Sequence, residues 1–362
     1  MKIIKRISCI VMTAVFICLC SGCGEQPPEP VKPDVAVLFA SKEDIEQNQE
    51  GNAIKSALEG AGYNVKLDYA SNNVELQASQ IKQHLADKCR VIIIDAVDAD
   101  KIGQAIAGAK AGGACIISYD EIISNSDEVS YYVAFDDSKT GYLQGKYIAD
   151  RLDLDNCPGN VTYNIEIFSG ASGEVYSKRH YDSAMEVLKP YFDAGVLKVL
   201  SGDMSYAETI TVNFETEEDD NTASKRMRRL IEEYYDEEQI LDAVLCVNDD
   251  IAQEVVKSVD YHYNGTFPVV TGCGCSLESV KSIAEKKQGM TVLMDYKALT
   301  GKTVELAKAV LNNSSVPEFD AESLNNGFIN APVYLCEPVC VDYENYEKLI
   351  IDTGYYTRRQ LE

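Results

Sequence analysis

The chain has 362 residues, with 33 Lys and Arg against 58 Asp and Glu, for a formal net charge of −25. Hydrophobic residues make up 46% and charged residues 25%, a globular composition that excludes a disordered or collagen-like chain. The length favours two domains. The acidity excludes a nucleic-acid binder, because no basic run exceeds Lys225-Arg226 or Arg228-Arg229.

The chain opens with Lys2, Lys5 and Arg6, then an apolar run from Ile7 to Leu19. That is an export leader, and the run is too short to span a bilayer. Leu19-Cys20-Ser21-Gly22-Cys23 resembles a bacterial lipobox, with Cys23 as the lipidated mature N-terminus. Cys20 stands where the usual Leu would be. Removal of residues 1–22 leaves 30 basic and 58 acidic residues, a net of −28. Residues 23–34 are Pro-rich and charged, an extended tether of roughly 3 Å per residue. The expected location is therefore outside the cell membrane, anchored by the lipid on Cys23.

After the tether, strand and helix signals alternate. Val35–Phe39, Val65–Tyr69, Val91–Ile94 and Cys115–Tyr119 read as strands. Helical stretches fall between them, including Leu76–Asp87 and an Ala-rich run Ile102–Ala111. The continuous β-branched run Val91–Ile94 marks a strand covered on both faces. The rhythm restarts with strands at Val161–Phe168, Lys198–Leu200, Ala243–Val247, Val269–Thr271 and Thr291–Met294. Helices are expected at Ser177–Phe192, Lys225–Tyr235, Ile251–Val259, Leu277–Lys287 and Thr300–Leu311. This pattern predicts an α/β fold of two Rossmann-like lobes with parallel sheets. Ligands bind such sheets beyond the carboxyl ends of the strands, so the cleft between the halves is the expected site.

The strand ends are polar. Tyr119-Asp120-Glu121, Ser169-Gly-Ala-Ser-Gly-Glu174, Asn248-Asp249-Asp250, Gly272-Cys-Gly-Cys-Ser276 and Met294-Asp295-Tyr296 follow five strands. Carboxylates and an amide converging on a cleft suit a polyhydroxyl ligand, whose hydroxyls both donate and accept. For Asn248 and Asp249, capping of the next helix is the competing role. The three histidines, His84, His180 and His262, sit in or beside helical stretches and are expected to be exposed. No catalytic group and no cofactor is expected. Glu215–Asp220 is an acidic run read as a solvated insertion, and Gly170-x-x-Gly173 as a turn. Eight cysteines remain in the mature chain. Cys115 and Cys246 read as small buried hydrophobes. Cys273, Cys275, Cys336 and Cys340 leave open a disulfide or a four-thiolate metal site, although the spacing is not that of a zinc ribbon. Free thiols without a metal are the expected state.

Longer segments carry a family resemblance. They are Asp68-Tyr-Ala-Ser-Asn72, Gln77-Ala-Ser-Gln-Ile81, Ser118-Tyr-Asp120, Ser126–Tyr132, Phe135-Asp136, Leu143-Gln-Gly145, Asn164–Phe168, Tyr181–Met185, Asp242–Leu245, Ser279–Ile283 and Asp352–Tyr356. From about Asp34 to its end the chain resembles substrate-binding lipoproteins of sugar ABC importers, in the multiple-monosaccharide branch of the type I periplasmic-binding-protein fold. The resemblance implies three hinge crossings, near Phe135, near Met294-Asp295 and near Asn330-Pro332. It thus implies one lobe of residues 34–134 with 295–331, and another of 135–294 with 332–362. It also implies a monomer that closes on a saccharide and delivers it to a permease. Asp120, Asn248 and Asp249 match ligand positions. The pattern departs elsewhere. Glu121 replaces an Arg, Gln47 stands nearest to an absent loop Trp, and Val175-Tyr176 replace an Asn pair. Cys273-Gly274 replace Gln-Asp, and Met294 replaces a Lys. These departures motivate an alternative, a sensory subunit bound to a membrane receptor kinase.

Overall fold

The computed structural model describes residues 32–170, 175–210, 222–317 and 324–362. The leader, Cys23, most of the tether, the acidic run Glu215–Asp220 and the turn after Gly170 lie outside the described residues.

The first half is laid down as β1 (Val35–Phe39), α1 (Ile45–Gly60), β2 (Val65–Tyr69), α2 (Val74–Ala86), β3 (Val91–Ile94), α3 (Ala109–Gly112), β4 (Cys115–Tyr119) and β5 (Val129–Phe135). Every residue of β1 and β3 is buried. These apolar strands form the middle of a sheet covered on both faces by separate apolar clusters. α1 and α2 start where Asp44 and Asn73 accept from the amides of Gln47 and Leu76. The Ala-rich stretch expected as one helix is broken. Ile102–Gln104 is a 3-10 turn, and Gly108 at φ +81° separates it from α3. Glu128 accepts from the Gly108 and Lys110 amides at 3.0 and 2.7 Å and caps the short helix in place of a continuous turn.

The second half follows as α4 (Asp137–Arg151), β6 (Tyr163–Phe168), α5 (Val175–Asp193), β7 (Leu197–Lys198), α6 (Tyr206–Thr209), α7 (Ala223–Tyr234), β8 (Ala243–Cys246), α8 (Asp249–His262), β9 (Val269–Val270), α9 (Leu277–Ala284) and β10 (Met290–Leu293). The chain then runs through α10 (Tyr296–Leu311), β11 (Leu324–Asn325), β12 (Asn330–Ala331), β13 (Val333–Cys336), β14 (Val339–Asp342) and α11 (Arg358–Leu361).

The first sheet has the order β13-β5-β4-β3-β1-β2, and all its pairs are parallel. The second has the order β7-β6-β8-β9, also parallel. β10 continues beside β9 through Gly289 N to Val270 O at 2.8 Å and Val292 N to Gly272 O at 3.1 Å, and pairs antiparallel with β14. α10 returns to the first lobe, where Leu299, Val304, Leu306 and Ala307 join the core around β1. Two sheets therefore share three connections, after β5, after β10 and after β13. The third falls at Glu337-Pro338, later than the Asn330-Pro332 expected from sequence. β13 pairs with β5 from Val333↔Tyr132 to Cys336↔Phe135, so residues 333–336 belong to the first sheet. Pro338 cannot donate to a ladder and separates β13 from β14.

α4 was not legible as a helix in the sequence. Its Gly141 and Gly145 face α5, and a Cβ at Gly141 would collide with the His180 carbonyl and Ser183 Oγ. Gly141→Ala is expected to force the two helices apart and to cost about 2 kcal/mol. Urea unfolding tests this, and an unchanged midpoint would contradict the close crossing.

His180 lies inside that crossing and His84 on the buried face of α2, both against the expectation that they are exposed. The cause is specific partners. His84 Nε2 sits 2.8 Å from Asp68, and His180 Nε2 sits 2.7 Å from Gln144 Oε1. Burial pushes His180 down to about 3, so it is neutral. His262 is exposed. The eight cysteines among the described residues form no disulfide. Cys336, Cys275 and the pair Cys273 and Cys340 stand in three different apolar clusters.

Candidate functional site

The floor of the candidate site is the carboxyl edge of the first sheet. Tyr119 ends β4 and is 1% exposed, packed against Phe39 with ring centroids 5.4 Å apart. Its hydroxyl donates to the Glu50 carboxylate on α1. Glu50 is 7% exposed. Burial drives its carboxyl up to about 8, opposed by the Tyr119 hydrogen bond and reinforced by Asp120, Asp95 and Glu46. Asp95 follows β3 and is 9% exposed. Burial, with the neighbouring Asp120 charge, lifts it to about 8 against a hydrogen bond from the Ala40 backbone. Buried Gln77 fixes this turn by donating to Asp95 O at 2.7 Å and accepting from Val97 N at 2.9 Å.

Asp120 adopts φ +63°, in the left-handed region. Its amide donates to Val133 O at 2.8 Å, and its carbonyl accepts from Tyr132 Oη at 2.6 Å. Ser118 Oγ accepts from Ile123 N at 2.9 Å and donates to Glu121 O at 2.5 Å. The turn bearing Asp120 and exposed Glu121 is thus held on both sides. Gln47 folds back, accepting from Ser41 N at 2.7 Å, and closes the loop after β1.

The second lobe presents the ends of β8, β9 and β10. Asn248 Oδ1 accepts from Ile251 N at 3.0 Å, so its oxygen caps α8. Asp249 does not open to the cleft. It is 3% exposed and accepts from Ser276 N at 2.7 Å, Thr291 Oγ1 at 2.8 Å and Gln288 Nε2 at 3.3 Å. Burial raises its carboxyl above the usual range. Asp249, expected as a ligand residue, has its oxygens engaged within the second lobe, where they tie α8 to the starts of α9 and β10. A Cβ at Gly272 would strike that carboxylate. Gly274 adopts φ +122° and leaves exposed backbone at this edge. Met294 packs against apolar clusters of both lobes. Tyr176 lies in the first turn of α5, and its side chain is outside the described residues.

Three connections flank this space. Phe135 and Tyr296 meet edge-on with centroids 5.2 Å apart. Lys139 reaches Asp136 and Glu337. Asp295 caps α10 and accepts from Tyr355 Oη, and Lys297 Nζ donates to Thr353 O at 2.9 Å. Tyr296 lies in the field of Asp120, Glu50 and Glu46 from one lobe and Cys273 from the other. Sequence reading missed Glu50 and Asp95, and had Tyr296 only as part of the strand end Met294-Asp295-Tyr296. The acid directly after the apolar run of β3 was the signal available for Asp95.

Two parallel-sheet lobes, three connections and polar groups at the facing strand ends define a cleft-type solute-binding protein. A periplasmic binding protein domain model matches residues 35–315. The chain is 34% identical over 335 residues to the multiple sugar-binding periplasmic protein SbpA of Azospirillum brasilense, covering 91% of this chain and 92% of that one. It is also 34% identical to the multiple sugar-binding periplasmic receptor ChvE of Rhizobium radiobacter, covering 91% and 93%. Among solved structures, an ABC transporter solute-binding protein of Clostridium phytofermentans with bound β-D-glucose matches with TM-score 0.72 and 40% identity, over 91% of this chain and 99% of that chain. The chain belongs to the periplasmic binding protein family and has its type I two-lobed fold. Its role is solute binding, and the similarities lend no support to the sensory alternative.

Proposed function

We propose that the protein is an exported, lipid-anchored, monomeric component of an ABC importer that binds a saccharide between its lobes, closes by hinge motion and catalyses no reaction. The observation that carries this is the 40% identical solute-binding protein with glucose bound, matched along nearly its whole length. The Leu19–Cys23 segment supports the anchor. Among the described residues no helix is long and apolar enough to cross a membrane. The contact residues on this reading are Asp120 and the side-chain amide of Asn248, with Glu121, Gln47, Tyr176, Gly274 and Met294 at the rim, and Glu50, Asp95 and Tyr296 added from the geometry.

A ligand that binds only the folded state raises the melting temperature, and at 100 times its Kd stabilises by about 2.7 kcal/mol. A monosaccharide panel in a thermal-shift assay is expected to contain such a ligand. No shift at millimolar concentration with any monosaccharide would overturn the saccharide reading. Labelling with a radioactive fatty acid, lost in Cys23→Ala, tests the anchor.

A further inference from the structure

The last turns of the chain reach across the second connection. The helical turn Glu347–Ile351 belongs to the second lobe, where Ile350 joins Cys275, Val280, Leu293 and Val341 in one apolar cluster. Gly354 then adopts φ +74°, a left-handed conformation that suits glycine, and reverses the chain. Its amide donates to Ile351 O at 3.0 Å, and the Tyr355 amide donates to Ile350 O at 2.9 Å. Beyond this reversal, two adjacent tyrosines send their hydroxyls to different lobes.

Tyr355 and Thr353 hold the start of α10, which packs into the first lobe. The Tyr355 hydroxyl donates to Asp295, the residue that caps α10 through the Lys297 and Ala298 amides. Lys297 Nζ donates to Thr353 O at 2.9 Å and lies 4.3 Å from the centre of the Tyr355 ring. An ammonium group on a carbonyl and over an aromatic face binds more strongly than a neutral donor would. Tyr356 holds the second lobe, its hydroxyl donating to Cys275 O at 3.1 Å. Cys275 sits at φ +54°, and its amide donates to Thr291 Oγ1 at 3.1 Å. The Gly274 amide donates to Val292 O at 3.0 Å. The exposed edge at Gly274 is therefore pinned both by its own sheet and by the end of the chain.

We propose that Thr353–Tyr356 is a strap that ties the start of α10 to the Gly274 edge and limits how far the two lobes swing apart. Tyr355, Tyr356 and Lys297 are positioning residues for solute capture. The proposal rests on the hinge-closing reading and names the segment that governs the motion. An attractive contact between groups on two moving bodies favours the arrangement in which it is made, so its loss populates wider ones.

The test is amide hydrogen exchange, read by mass spectrometry, on the purified full-length protein in detergent without added sugar. The first connection is the reporter. It lies outside the strap, and its Asp136 amide donates to Cys336 O at 3.1 Å. In Tyr355→Phe and Lys297→Met, exchange at residues 135–138 is expected to rise by about threefold or more, because each variant removes a tie between the lobes. Lys297→Arg keeps the charge and should stay near the wild type. Lys297→Met carries the test if Tyr355→Phe fails to fold. Faster exchange confined to residues 272–276, 294–298 and 347–357 would make the tail a local packing element and overturn the strap. Unchanged exchange throughout would overturn it as well. Either of those results leaves the saccharide reading standing, since the monosaccharide panel tests that reading separately.

Discussion

Asp249→Ala is expected to destabilise the protein by about 4 kcal/mol, read as a lower urea midpoint at constant slope. The Ser276 amide, the Thr291 hydroxyl and the Gln288 amide all donate to this one carboxyl group inside the second lobe. Its removal takes the acceptor from the Ser276 amide and the Thr291 hydroxyl, leaves the Gln288 amide only its bond to Met290 O, and opens a cavity beside Gly272. Asp249→Asn, which keeps the volume and one acceptor oxygen, should lose about half as much. The pair of variants separates an interior tie from the ligand contact expected from sequence. A stable Asp249→Ala protein that no longer binds ligand would make Asp249 a ligand residue after all. An unstable protein whose folded fraction still binds would confirm the interior tie.

The second large effect is a fall in stability as pH rises from 6.5 to 8. Glu50 and Asp95 hold their protons to about pH 8 in the folded chain. Unfolded, they release them near pH 4. Between those values the folded state binds more protons, so stability declines with rising pH and the loss is complete above about 8. Glu166, Asp242 and Asp249, also raised by burial, act in the same direction. His180 acts oppositely, but only below its unfolded value near 6.5. It is neutral when folded, takes up a proton when unfolded, and destabilises as pH falls. The window from 6.5 to 8 therefore isolates the carboxyls. Each retained proton is worth about 1.4 kcal/mol per pH unit, and partial titration near 8 trims the sum for Glu50 and Asp95 to about 3 kcal/mol. Urea unfolding at pH 6.5, 7.25 and 8 measures it. Stability that stays level or rises across this window would refute the burial-raised carboxyls of Glu50 and Asp95, and Glu50→Gln should flatten the slope by about half.

Much of the architecture was visible in the residue pattern. The all-apolar runs at Val35–Phe39 and Val91–Ile94 became the fully buried β1 and β3, because a strand covered on both faces has no polar side to show. Segments with weaker patterns were displaced or lost. The strands expected at Lys198–Leu200 and Val269–Thr271 are the two-residue β7 and β9, and α4, which hides its packed side behind two glycines, was not read as a helix. The Ile102–Ala111 stretch had helical composition, but the glycine at 108 and the Glu128 side chain 20 residues away divided it.

The candidate site was legible in part. Asp120 could be found because it follows a strand, and strand ends meet at a cleft. Asp249 follows a strand equally well, yet its carboxylate turns inward. That outcome depends on Thr291 and Gln288, some forty residues later in the chain. Glu50 sits in the middle of a helix, where an acid ordinarily reads as solvent-facing. Only the hydroxyl of Tyr119, 69 positions away, explains its burial.

Length, charge and the apolar rhythm by themselves determined an acidic, two-lobed α/β chain, because burial and sheet formation follow local patterns of side chains. The tertiary structure decided the rest. It moved the third connection to Glu337-Pro338, since parallel pairing with β5 assigns Val333–Cys336 to the first lobe. It also buried two acids, Glu50 and Asp95, near the carboxyl edge of the first sheet. A carboxyl group's neighbours in space set its charge and its use, and those neighbours come from α1, β3 and β4, which no local pattern brings together.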